Sequence, residues 1–143
     1  MRLALLSVLS ALVLACDGTG ACTEIGCDHR ASVTFPGGIG GPYELQVTDG
    51  ISEISARCSD PELEESGGEN PPEITCNAAG FELVGHTLSN ARSVRVTVVN
   101  DDGEALFANA EAVLGVVETL RPNGEGCEPT CFVRSGQVLA PEG

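Results

Sequence analysis

The stretch Ser93-Val94-Arg95-Val96-Thr97-Val98 decides the fold, because apolar and polar residues alternate along it without a break. Successive side chains of a β-strand point to opposite faces, so the three valines share one face while Ser, Arg and Thr share the other. A period of two is typical of a strand with one face buried and the other in water. The stretch therefore predicts an amphipathic strand of an antiparallel sheet.

The same alternation recurs in three other segments, 31–35, 43–48 and 54–58. Turn-forming residues separate such runs: we expect a two-residue type I′ turn at Asp49-Gly50 and longer turns at 77–80 and 100–103. The segment Ala105–Glu111 is less regular, and we predict that it is the strand that follows the 100–103 hairpin.

Counting these runs predicts about eight short strands with a turn signal roughly every ten residues. We therefore expect residues 27–143 to fold as one all-β antiparallel sandwich. Its general plan resembles that of immunoglobulin-like or transthyretin-like domains. The length of 143 residues fits a single domain, and the net charge of −14 argues against nucleic acid as a partner.

The amino terminus has the layout of a secretory signal: Met1-Arg2, an apolar run over 3–14, and then Ala15-Cys16. Val13-Leu14-Ala15-Cys16 resembles the lipobox of bacterial lipoproteins. This resemblance implies removal of the signal peptide 1–15, diacylation of the Cys16 thiol by fatty acids such as palmitate, and attachment to a membrane. Residues 16–26 would then be lipid anchor and flexible tether. A plain cleaved signal peptide is the alternative.

Asp17 directly follows the lipid-bearing cysteine. In bacterial lipoproteins an Asp at this place resembles an inner-membrane retention signal, and its meaning differs between bacterial groups. We therefore expect an exported protein of the cell envelope, held either at the outer membrane or at the periplasmic face of the inner membrane.

The chain contains seven cysteines, an odd number. If Cys16 carries the lipid, six cysteines remain, and they can form three disulfides. An oxidising compartment favours such pairing of thiols. We predict a Cys58–Cys76 bridge at the base of the acidic loop 59–72. The other four form either the local pairs Cys22–Cys27 and Cys127–Cys131 or the crossed pairs Cys22–Cys127 and Cys27–Cys131, which would fasten the first strand beside the last. Spacing does not choose between these two arrangements.

Chemistry beyond disulfides has weak sequence support. Cys22, Cys27 and His29 with Cys127 and Cys131 could in principle hold zinc, but exported thiols more often form disulfides. The acidic loop, including Glu64-Glu65, offers oxygen ligands for calcium without the spacing of a known calcium loop. We find no nucleophile elbow, phosphate loop or dinucleotide motif, so we expect no enzyme activity and no cofactor.

We therefore expect a structural or interaction module that binds a protein or another envelope component through its loops, since rigid scaffolds often present binding residues on loops. Three loops are candidates, 36–42, 59–72 and 121–131. The alternative is a periplasmic metal- or substrate-binding protein that uses the acidic loop or a site at His29 or His86.

Overall fold

The computed structural model describes residues 22–59 and 70–140, which form nine β-strands and a short 3₁₀ helix, Thr87–Asn90. The strands pack as two sheets, with orders β4-β5-β1-β9-β8 and β3-β2-β6-β7. The predicted all-β sandwich is confirmed, with nine strands in these residues rather than about eight. The strands are β1 Arg30–Thr34, β2 Tyr43–Thr48, β3 Glu53–Cys58, β4 Ile74–Asn77, β5 Gly80–Val84, β6 Ser93–Asn100, β7 Ala105–Val113, β8 Gly115–Leu120 and β9 Cys131–Gln137.

The core lies between the two sheets and consists of the residues that the alternation predicts to point inward. Strand β6 pairs with β2 so that Val98 lies beside Leu45 and Val96 beside Val47. All six inward residues of these strands are at most 1 % exposed: Tyr43, Leu45, Val47, Val94, Val96 and Val98. Burial of this apolar surface is the main driving force for the fold.

An aromatic cluster closes one part of the core. The ring of Phe35 lies between 5.6 and 6.0 Å, centroid to centroid, from the rings of Tyr43, Phe81 and Phe107. These rings come from both sheets, since β2 and β7 belong to one and β5 to the other. The cluster therefore packs the two sheets against each other just after the end of β1, where the chain enters the loop 36–42.

The turn between β2 and β3 lies one residue later than predicted. Its central residues are Gly50 and Ile51, because Asp49 and Ser52 close it through the hydrogen bond from Asp49 N to Ser52 O. A type I′ turn centred on Asp49-Gly50 needs positive φ at both residues, whereas of these two only Gly50 has it, at 92°. Asp49 Oδ1 instead accepts hydrogen bonds from Ser52 N and Ile51 N, and these donors lower the pKa of Asp49.

The predicted strand after the 100–103 hairpin is confirmed, since β7 spans Ala105–Val113. The chain then crosses from one sheet to the other at Leu114, whose backbone N donates to Arg92 O. Gly136 of β9 packs against this crossing so closely that a Cβ there would meet Val113 O and the Leu114 side chain. This corner joins the two sheets along the β7 and β8 side of the sandwich.

Strand β1 pairs with β9 in parallel, and this is an exception to the antiparallel plan. Two of the three disulfides support this pairing, because Cys22–Cys127 and Cys27–Cys131 join the segments that lead into β1 and β9. The crossed alternative is thus the one that the structure contains. The third bridge, Cys58–Cys76, is the predicted pair, and because it joins β3 to β4 it links the two sheets. Three disulfides are compatible with an exported protein in an oxidising compartment.

Several predictions concern residues outside those described: the signal peptide 1–15, Cys16, the first part of the tether, and 60–69 of the acidic loop with Glu64-Glu65. Within 22–59 and 70–140, no helix has the length and apolar character needed to cross a membrane.

Candidate functional site: the loop end of the sandwich

The loop 36–42, which joins the two sheets, meets the β4–β5 turn of the five-stranded sheet at the end of β1. Phe35 N donates to Ala79 O at 2.8 Å, and Ile39 N donates to Ala78 O at 2.7 Å. The Ile39 side chain is buried, so the middle of the loop 36–42 is fixed to the β4–β5 turn by both packing and backbone hydrogen bonds. The loop is therefore a shaped surface and not a loose connection.

The four-stranded sheet contributes further loops at this end. Tyr43, the first residue of β2, pairs with Cys58 at the end of β3 and with Asn100 at the end of β6. The Tyr43 hydroxyl donates to Asn77 O at 2.7 Å and thereby ties the two sheets together here. We call this region the loop end: the loop 36–42, the turn 78–79, the start of the acidic loop after Cys58 and the turn 101–104.

An open trough of about 450 Å³ lies next to the loop end, on the outer face of β2, β3 and β6. Arg57 lies in its wall, where Nη2 contacts Asp101 Oδ1 at 2.7 Å and Nη1 contacts Glu44 Oε1 at 3.6 Å. These side chains are more than half exposed, so the ion pairs orient the guanidinium but stabilise the fold little. The polar side chains that line the trough are Glu44, Gln46, Ser55, Arg57, Asn70 and Thr97.

Asn70 closes the trough on the side of the acidic loop. Its Oδ1 accepts a hydrogen bond from Arg57 N at 2.8 Å, and its Nδ2 donates to Arg57 O at 2.7 Å. The side-chain amide of Asn70 thus pairs with the N–H and C=O groups of Arg57, as the backbone of a neighbouring strand would. The trough presents hydrogen-bonding groups and one cation between carboxylates, an arrangement that can bind a polar group.

His29 has a structural role at the opposite end of β1. Its Nδ1 accepts a hydrogen bond from Phe132 N at 3.0 Å, and its ring stacks on that of Phe132 with centroids 5.7 Å apart. The Arg134 guanidinium lies 5.5 Å from the centroid of the Phe132 ring. Phe132 is therefore part of this half-exposed stack and not of the main core.

His86 caps the 3₁₀ helix Thr87–Asn90, because its Nδ1 accepts a hydrogen bond from Leu88 N at 3.2 Å. It follows Gly85, whose backbone N donates to His29 O at 3.0 Å, so both histidines belong to the same end of the β1–β5 pair. The two imidazoles have separate local roles, since the Nδ1 of each accepts a hydrogen bond from a different backbone N–H.

Both histidines are poorly arranged to bind a metal ion. An imidazole that binds a metal through Nε2 carries its proton on Nδ1 and donates it to an acceptor. Here the Nδ1 atom of each histidine faces a backbone N–H donor. The tautomer with its proton on Nδ1 would therefore point that proton at the backbone hydrogen. Among the residues of 22–59 and 70–140, no group of three or more His, Cys, Asp or Glu side chains is arranged to hold a metal ion.

The third candidate loop, 121–131, lies at the end where β1 and β9 begin. Asn123 holds the amino-terminal segment there: Oδ1 accepts from Thr23 Oγ1 at 2.6 Å and from Ile25 N at 3.0 Å, while Nδ2 donates to Ile25 O and Glu128 O. Residues 22–26, the last part of the segment interpreted as anchor and tether, are thus fixed to the domain. We call this region the anchored end.

Sequence reasoning missed three side chains with defined roles, namely Asn70, Asn123 and Arg134. The Asn123-Gly124 pair predicts only a turn, and nothing in its spacing indicates a bond network to residues about a hundred positions earlier. Comparison with known proteins adds no assignment, since no family model, no curated protein and no solved structure matches this chain.

Proposed function

We propose that this chain is an exported lipoprotein of the bacterial cell envelope, anchored through Cys16, whose loop end binds a protein or another envelope component. The lipobox resemblance and the leftover cysteine support the anchor, and three disulfides agree with export.

One observation carries the binding role: the anchored end and the loop end lie at opposite ends of β1. The disulfides and Asn123 fix residues 22–26 beside the start of β1 at Arg30. The strand then runs to Thr34, which pairs with Gly80 next to the turn 78–79. A lipid at Cys16 would therefore hold the domain by one end and present the other end away from the membrane. The net charge of −14 would also keep the body off anionic head groups.

A photo-cross-linking amino acid tests the binding surface in whole cells. We would place it at Gly40 or Asp102 in the loop end and, as a control, at Ile51, which is 96 % exposed in a turn at the other end of β2. The proposal predicts a discrete cross-linked partner from the first two positions and none from the third. A partner captured from Ile51 alone, or from no position, would argue against it.

The anchor is tested separately by the intact mass of protein isolated from membranes. We expect a mature chain that begins at Cys16 and carries acyl mass, whereas Cys16→Ser should partition into the aqueous phase of a detergent extraction. A mature wild-type chain without acyl mass would rule out the lipid anchor.

The trough supports a second candidate, a substrate-binding protein for a small polar ligand. Its volume of about 450 Å³ lies in the range of small-molecule sites, and Arg57 is its cation. Arg57→Gln would abolish such binding while leaving unchanged the cross-link from Gly40, which lies outside the 101–104 turn that Arg57 contacts, and this distinguishes the two candidates.

A further inference from the structure

Asn123 is the one asparagine of the chain that a glycine follows. The side-chain amide of such a pair is chemically labile, because the backbone nitrogen of the glycine can attack it and close a cyclic imide. Glycine has no Cβ to crowd this attack. Asn123 is therefore the asparagine of this chain with the greatest intrinsic tendency to lose its amide, the reaction called deamidation.

The anchored end holds the Asn123 amide by all of its hydrogen-bonding groups. Its Oδ1 accepts hydrogen bonds from Thr23 Oγ1 at 2.6 Å and from Ile25 N at 3.0 Å. Its Nδ2 donates to Ile25 O at 2.9 Å and to Glu128 O at 2.8 Å. A carboxamide has two donor hydrogens and an oxygen with two lone pairs, so no bonding group is left over. Rotation of the amide towards Gly124 N would break these bonds.

The attacking nitrogen is held as well. Gly124 N donates to Arg121 O at 3.0 Å across the turn, whereas the attack requires this nitrogen to lose its hydrogen. The turn also explains why a glycine follows Asn123, since the φ of Gly124 is 93°, in the left-handed region that other residues rarely adopt. The hydrogen bonds need the asparagine and the turn needs the glycine, so the fold uses a labile pair and at the same time protects it.

We propose that Asn123 is a deamidation site that the closed anchored end keeps unreactive and that becomes reactive when the segment 22–26 leaves it. Hydroxide removes the Gly124 N–H proton, and this nitrogen then forms a bond to Cγ of Asn123. The Cγ–Nδ2 bond breaks, and Nδ2 takes a proton from water and leaves as ammonia, which regenerates the hydroxide. A further water opens the imide and gives aspartate or isoaspartate at position 123.

Either product prevents the anchored end from closing as before. Aspartate has a carboxylate oxygen in place of the Nδ2 donor, and this oxygen faces the carbonyl groups of Ile25 and Glu128. Isoaspartate carries the backbone through the former side chain, so the original hydrogen bonds cannot form again. Since neither product returns to asparagine, the reaction leaves a lasting change in how residues 22–26 are held.

Rates of amide loss in the folded and the unfolded chain test the protection. The full-length, disulfide-bonded chain and the same chain, reduced and unfolded in denaturant, are kept at one pH and temperature. Peptide mass spectrometry follows Asn123, and isoaspartate at this position identifies the imide route. We expect amide loss to be at least about tenfold slower in the folded chain, the factor that an opening cost above about 1.4 kcal/mol implies.

A matched pair of variants tests whether the hydrogen bonds supply this protection. Thr23→Val keeps the shape of the side chain and all three disulfides but removes the hydroxyl donor to Asn123 Oδ1. Loss of a hydrogen bond worth about 1 kcal/mol should speed deamidation of the folded chain about fivefold. Thr34→Val makes the same change at the opposite end of β1, where the hydroxyl contacts Gly136 O at 3.5 Å, and should leave the rate unchanged.

Two further measurements test the route and the consequence. In the unfolded chain, Gly124→Ala should slow the reaction, because a Cβ beside the attacking nitrogen crowds imide formation. In the deamidated fraction of the folded chain, the Ile25 amide, which donates to Asn123 Oδ1, should exchange its hydrogen faster than in the unmodified fraction.

Equal rates of amide loss in the folded and unfolded chains would show that the anchored end gives no protection. Deamidation of Thr23→Val no faster than that of Thr34→Val would show that the hydrogen bonds are not its source. An unslowed reaction in Gly124→Ala would exclude the imide route, and unchanged exchange at Ile25 would remove the consequence. Each of these results would overturn the proposal, and none of them depends on the lipid anchor or on the loop-end function.

Discussion

At the residue scale, Tyr43 connects several parts of the molecule. It is 1 % exposed, its ring packs edge-on against Phe35, and its hydroxyl donates to Asn77 O across the two sheets. Burial disfavours the phenolate, and this raises the pKa of Tyr43 to about 12.

Tyr43 can be titrated without interference, because the chain has one Tyr and no Trp. We expect the near-ultraviolet absorbance of tyrosinate to appear with a midpoint near pH 12 in the folded protein, against 10.0 for an unperturbed tyrosine. Because the pKa of Tyr43 is higher in the folded chain than in the unfolded chain, the protonated side chain stabilises the fold. This contribution to the free energy of unfolding is complete below about pH 10 and is lost as the pH rises from there towards 12.

The titration in denaturant is the control and should give the unperturbed midpoint. Tyr43→Phe should remove the hydrogen bond to Asn77 at a cost of about 1 kcal/mol. A native midpoint near that in denaturant would show that Tyr43 is exposed and that the sheets do not close over it.

Asn123 is the residue that holds the anchored end together apart from the disulfides. Asn123→Asp keeps the shape but replaces the Nδ2 donor by an oxygen that faces Ile25 O and Glu128 O. We expect faster hydrogen exchange at Ile25 and neighbouring amides and a loss of about 1 kcal/mol in stability.

Asn109→Asp on β7 is the matched control, since it adds the same charge away from the anchored end and Asp tolerates the φ of 52° there. Equal exchange changes at Ile25 in both variants would mean that added charge, and not the lost donor, is responsible.

At the scale of elements, β5 can begin where it does because Gly80 has no side chain. A Cβ at Gly80 would overlap the carbonyl oxygen of Val33 on the paired strand β1. Backbone cannot move aside as a flexible side chain can, so we expect Gly80→Ala to lower the free energy of unfolding by about 1–3 kcal/mol. Chemical denaturation measures this cost.

Gly40 provides the control within the loop end. A Cβ at Gly40 meets nothing within 4 Å, so Gly40→Ala should be neutral or slightly stabilising through the unfolded chain. If Gly80→Ala were equally harmless, the β1–β5 register of Thr34 with Gly80 would be wrong.

The elements that sequence reasoning predicted best are those with one buried face. Val94, Val96 and Val98 alternate cleanly, and their strand is present at the predicted place. The β2–β3 turn was predicted one residue early. Alternation and the Asp-Gly pair do not show whether Asp49 is a central residue of the turn or the residue before the two central ones. The structure has the second arrangement, in which the Asp49 side chain accepts hydrogen bonds from Ile51 N and Ser52 N.

At the scale of the whole molecule, the sequence left long-range neighbours undecided, since the crossed cysteine pairs placed the first strand beside the last only as one of two alternatives. The parallel pairing of β1 with β9 and the Asn123 contacts join residues about a hundred positions apart, and local alternation carries no information about such distances. The trough was missed because local alternation also does not show that the Asn70 side chain bonds the backbone of Arg57, thirteen residues earlier. The loop end was predicted as separate loops, and only the fold brings two of the three together.

The separation of the lipid anchor from the binding loops depends most on the anchored end, because it requires residues 22–27 to be fastened beside β9. Peptide mapping of the non-reduced protein tests this directly. Trypsin leaves Cys22 and Cys27 in one peptide that ends at Arg30, and it leaves Cys127 and Cys131 together in another that ends at Arg134.

We predict that these two peptides remain joined until a reductant is added, and that fragmentation assigns the bonds as Cys22–Cys127 and Cys27–Cys131. Two separate peptides, each closed by its own local bridge, Cys22–Cys27 and Cys127–Cys131, would contradict the account.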